Sequence, residues 1–73
     1  MTTIDQSRIN LEQLKACCQT DTARATELEC GLFTAAALAA ESAVTPADWM
    51  RAKELAAIAL DAQQVSFRRC YEL

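Results

Sequence analysis

From Ala47 to Leu73 the chain contains no glycine and no proline, and the residues at the head of this stretch are those that start helices. Thr45 can cap the first turn through its hydroxyl, Pro46 sits where a missing N–H costs nothing, and Asp48, three residues after Thr45, supplies the acidic half of a capping box. The pattern predicts a helix over about 46–71. Its apolar residues fall into two stripes at helical spacing. One takes Trp49, Ala52, Ala56, Ala59, Leu60 and Phe67; the other takes Leu55, Ile58, Ala62 and Val65. One neighbouring helix could cover the first stripe and would leave much of the second wet. Cover for the second must then come from a third helix, a second copy of the chain or a different protein.

A second helix is expected over about 22–43, with Leu28, Leu32, Ala35 and Ala39 on one side and Phe33, Ala36, Ala37 and Ala40 beside them. Gly31 lies inside it. It either admits the close approach of another backbone or is tolerated on an exposed face. The few residues around Ser42, Ala43 and Val44 leave so short a connection that the two helices must be antiparallel neighbours. Alanines at 35, 36, 39, 52, 56 and 59 let the axes approach, with Leu28, Leu32, Leu60 and Phe67 filling the open end of the seam.

Ahead of this hairpin, Ile4, Leu11, Leu14 and Cys18 recur at heptad-like steps and predict an amphipathic helix over about 5–18. It carries few large apolar residues and is expected to be the least stable piece. At Gln19-Thr20-Asp21-Thr22 two readings stand. Asp21 or Thr20 caps a new helix, since such side chains compete for backbone N–H groups, or the heptad phase carries one long arm straight through. The fold class is all-α: an antiparallel helical hairpin with an N-terminal helix or helical extension, one small domain over residues 1–73.

Composition narrows the function. With 73 residues, stability alone is marginal, and 52% hydrophobic content with only 5% aromatic means that alanine inflates the apolar count, so the core is thin. A net charge of −3, with no basic run longer than Arg68-Arg69, argues against nucleic acid. The longest uncharged run, between Glu29 and Glu41, is too short to span a bilayer, and Asp5 stands where a signal peptide wants positive charge, so the reading is cytoplasmic with no membrane partner. Cys17, Cys18, Cys30 and Cys70 are read as small buried or half-buried thiols. There is no histidine and no C-x-x-C pair to hold zinc, and adjacent Cys17 and Cys18 do not suit a disulfide scaffold. No catalytic, metal or cofactor-binding residue is expected: nothing pairs a nucleophile with a base, and a single glycine makes no phosphate loop.

What rises above background is surplus apolar surface, with Trp49, Phe67 and Tyr71 as natural anchors. The opening MTTI, the early LEQL, the alanine-rich arm, Pro46 followed three residues later by Trp49, and the late DAQQVSFRRCY resemble the small helical co-chaperones of type III secretion needle subunits, the YscE/EscE/SsaE kind. The resemblance covers nearly the whole chain. It implies a non-enzymatic cytoplasmic protein of a Gram-negative bacterium that pairs with a larger tetratricopeptide-like chaperone and, through it, keeps the needle subunit soluble and monomeric before export. By position, Leu28, Leu32, Trp49, Leu55, Ile58 and Val65 fall near that chaperone contact. An aspartate at Ile58 would then abolish the contact and leave the helices formed. Alone, the chain would self-associate or be proteolysed. The alternative is a homodimeric helical bundle that regulates or scaffolds something unrelated to secretion.

Overall fold

A computed structural model describes the backbone over residues 3–71 and the side chains over residues 3–67. Among the described residues it holds three helices and no strand: α1 (Thr3–Cys17), α2 (Thr22–Glu41) and α3 (Pro46–Tyr71). The side chains of Cys70 and Tyr71, and the N-terminal Met1 and Thr2, lie outside the described residues.

Local chemistry sets each boundary. The Thr45–Asp48 capping box is formed in both directions: the Asp48 N–H donates to Thr45 Oγ1 at 3.2 Å, and Asp48 Oδ2 accepts from the Thr45 and Val44 N–H groups, each at 3.1 Å. The Thr45 amide, then the Val44 amide and the Thr45 hydroxyl, hold the Asp48 carboxyl below the ordinary carboxylate range, with Arg51 adding a smaller pull. A carboxyl depressed on folding stabilises fully above its unfolded-state value. Its contribution drains away as pH falls through the lower folded-state value.

The chain breaks between the first two helices. Residues 18–20 form a turn in which the N–H groups of Thr20 and Asp21 donate to Cys17 O, and Asp21 caps α2 by accepting from the Arg24 N–H at 3.0 Å. Of the two sequence readings, the capped break is the one realised; Asp21 keeps the heptad register only because a cap sits there. At the other end, α2 stops at Glu41, two residues short of the expected 43, because Ser42 closes it with both its N–H and its hydroxyl on Leu38 O. α1 likewise starts at Thr3, earlier than the expected 5, and ends at Cys17.

The α2–α3 hairpin is antiparallel across residues 42–45, and the hydrogen bond from Ser66 Oγ to Glu29 Oε2, at 2.6 Å, ties its far end. α1 lies along both helices and runs parallel to α3. Two points give that direction: Arg8 meets Glu54 at 3.6 Å, and farther on Lys15 shares a shallow polar groove with Asp61, Gln64 and Val65. The long dimension of 43 Å is that of α3, whose 26 residues at ~1.5 Å each account for nearly all of it.

One core draws on all three helices: Leu11 and Leu14 from α1, Ala25, Leu28 and Leu32 from α2, and Ile58, Ala59 and Ala62 from α3. Ile4, Cys17, Cys18 and Val65 pack against it from the edge, and Leu55 is enclosed as fully as Leu14 and Leu32. Ser7, small enough to sit on the inner side of α1, is the buried polar residue among those described. The expected half-buried state holds for Cys17 and Cys18, whereas Cys30 is exposed.

Gly31 serves no close approach. It is exposed, its φ is negative, and a Cβ built there meets nothing within 4 Å. Gly31→Ala therefore removes a helix-weakening residue at no steric cost. It should stabilise the protein by about 0.5–1 kcal/mol and raise the midpoint of a thermal melt followed by circular dichroism by several degrees. Thr45→Ala, which removes the N-cap hydroxyl of α3, should lower stability by about 1 kcal/mol in a urea melt with an unchanged m-value.

Candidate functional site

The fold reverses which stripe of α3 is covered. Leu55, at 1% exposure, and Ile58, at 7%, are sealed inside the chain together with Ala62, and Val65 is half-buried beside them. α1 supplies the cover, placing Leu11 and Leu14 over the flank that a two-helix hairpin would have left wet. Leu28 and Leu32 of α2 are buried in the same core. Of the residues expected at a partner contact, Leu28, Leu32, Leu55 and Ile58 are thus core residues, and only Trp49 presents a large exposed surface. The cause is physical: a third helix of the same chain reaches those side chains at high effective concentration and removes them from water.

The apolar surface left over lies elsewhere. Trp49 is 55% exposed, Leu60 53%, Phe67 61% and Phe33 39%. Leu60 and Phe67, expected to plug the seam, stand outside it, and Ala56 is exposed between them and Trp49, whereas Ala52 and Ala59 turn into the core. Helical phase explains the split. Trp49, Ala56, Leu60 and Phe67 fall 0, 7, 11 and 18 residues along the helix, and 18 residues are five full turns of about 3.6, so the four share one line. Ala52 and Ala59 step by threes and fours from that line but sit one position around, with Leu55 and Ala62.

This line borders α2. On α3, Glu54 and Val65 look toward α1, Ser66 looks toward Glu29 of α2, and continuing around the helix in that sense leads to the Trp49 line. Phe33 lies one turn along α2 from Glu29, on the flank that meets α3. The hairpin therefore has one side closed by α1 and the other carrying Phe33, Trp49, Leu60 and Phe67. Its polar neighbours on α3 are Lys53, Gln63 and Gln64. With a whole aromatic side chain worth 150–250 Å², these exposed fractions amount to roughly 400 Å² of apolar surface, within the range of a functional patch on a small protein.

Sequence reading assigned Leu60 and Phe33 no part in a partner contact. The signal that finds Leu60 is phase held over five turns of α3 rather than the local three-and-four step; Phe33, on α2, is placed by the tertiary contact between Glu29 and Ser66. The other exposed large apolar residues are Leu38 on the outer side of α2, Ile9 on α1, Val44 in the α2–α3 connection and Met50, which follows Trp49 and stands about 100° around α3 from its line. Ile9 borders a wide, shallow depression along α1 with Arg8, Glu12, Gln13 and Ala16, which has no enclosing wall.

No group of three or more Cys, Asp or Glu side chains is placed to hold a metal ion among the described residues. Lys15–Glu12, Arg24–Glu27 and Arg51–Asp48 are surface ion pairs three residues apart on single helices and add little stability. No described helix is long and apolar enough to cross a membrane. Comparison with family models, with curated proteins and with solved structures found no match.

Opposite responses to the same substitution test the two stripes. Ile58→Asp, contrary to its expected tolerance, buries an unpaired carboxylate and should abolish the cooperative thermal transition. Leu60→Asp should leave far-ultraviolet circular dichroism and the melting midpoint nearly unchanged.

Proposed function

We propose that this chain is a non-enzymatic co-chaperone that docks on a larger tetratricopeptide-like chaperone in the bacterial cytoplasm. In that role it stabilises the larger protein, which holds a type III secretion needle subunit soluble and monomeric before export. One observation carries the reading. After the chain's three helices have built a shared core, a nearly uncharged face with three aromatic anchors is still in water. Aromatic side chains with pockets to fill dominate interface energetics, and helical-repeat proteins present extended concave surfaces that a protruding helical face can enter.

The contact residues differ from those first expected. Phe33, Trp49, Leu60 and Phe67 form the docking face, while Leu28, Leu32, Leu55, Ile58 and Val65 act beneath it by fixing the helices that present it. The resemblance in the MTTI, LEQL and DAQQVSFRRCY segments supplies the identity of the partner, and the exposed face supplies a surface for it. A needle subunit must polymerise outside the cell, so its assembly surface has to be masked inside. A small, already folded helper that adds binding energy to the masking protein does this by mass action.

Co-expression with the tetratricopeptide-like chaperone encoded nearest this chain's gene provides the test. The wild-type chain should co-purify with it as a stoichiometric complex, Leu60→Asp should lose the complex, and Leu38→Asp, on the outer side of α2, should retain it. Failure of the wild-type chain to co-purify would contradict the proposal, as would retention of the complex by Leu60→Asp.

A further inference from the structure

The Trp49 line has a property that a surface built for a foreign partner does not need: its spacing is the same read in either direction. The steps from Trp49 to Ala56, Leu60 and Phe67 are seven, four and seven residues. We infer that a second copy of this chain docks on this face with α3 antiparallel to α3, about a two-fold axis at the level of Ile58.

In that arrangement Trp49 of each copy lies against Phe67 of the other, and Leu60 of each enters the gap above Ala56 of the other. Large meets small at the centre, and aromatic meets aromatic at both ends. This is the self-complementarity an isologous contact requires, in which residue i meets j and j meets i. The charge pattern agrees. Lys53, the charged residue bordering the line among the described residues, comes opposite Gln64 of the second copy, so no like charges are forced together. Phe33 of each copy widens the contact from α2.

Area sets the strength. Roughly 400 Å² of large apolar side chain per copy is about half of the ~800 Å² per partner typical of stable complexes. The pair is therefore a weak dimer that exchanges with monomer and yields the face to a tighter-binding partner. The inference does not rest on the secretion role, because it concerns the purified chain by itself.

Sedimentation velocity on the purified full-length protein, across a micromolar to submillimolar dilution series, tests it. A reversible monomer–dimer equilibrium is expected, with emission of the single tryptophan shifting to shorter wavelength as the dimer fills. Leu60→Asp should weaken dimerisation by about tenfold or more, while Leu38→Asp leaves it unchanged. Leu60→Ala should also weaken it, and the exchanged pair Ala56→Leu with Leu60→Ala should restore it, since the swap keeps the summed volume across the axis. All these positions are exposed, so far-ultraviolet circular dichroism should show every variant folded. A monomer at every concentration would overturn the inference. So would a dimer indifferent to Leu60→Asp, equal weakening by Leu38→Asp, or an exchanged pair no tighter than Leu60→Ala alone.

Discussion

Docking of α1 across the inner flank of the hairpin is the contact on which the rest of the molecule depends. Without it, Leu28, Leu32, Leu55 and Ile58 would form an open trough. With it, Leu11 and Leu14 close a core shared by all three helices. The alanines at 25, 52, 59 and 62 let the helices approach until these few leucines fill the space between them. The arrangement also sets what is left outside, since the side of α3 that turns away from α1 carries the Trp49 line. Core and docking face are thus two consequences of one packing choice.

Much of this was legible in the sequence, and the reason differs from element to element. The start of α3 could be read to the residue because Thr45, Pro46 and Asp48 act through local hydrogen bonds that need no tertiary context. The hairpin followed from the short connection, and the helical class from the scarcity of glycine and proline. At residues 18–22, propensity and heptad phase pointed in opposite directions, and the cap prevailed because Asp21 satisfies an amide that an uninterrupted helix would have bonded elsewhere.

The surface was harder to read. Both stripes of α3 are apolar, and which one is buried depends on where a third helix lands, a tertiary fact that periodicity within α3 does not contain. Ala52 and Ala59 stepped with Trp49 over one turn and diverged from it over five. Leu60 and Phe67 looked like core because they are large and apolar; their exposure marks them as the residues that size alone does not explain. Glycine at 31 misled for a related reason, since a small residue in an alanine-rich helix suggests close packing and here faces open space.

The claim that α1 of the same copy seals the inner flank is tested most directly by methyl nuclear Overhauser contacts on a dilute, isotopically labelled sample, where the chain is monomeric. The packing described here requires cross-peaks from the Leu11 and Leu14 methyls to those of Leu28, Ile58 and Ala62 within one molecule. If those cross-peaks are absent while Leu60 and Phe67 contact α1 instead, the cover lies on the other stripe, and both the core and the docking face assigned to this chain are wrong.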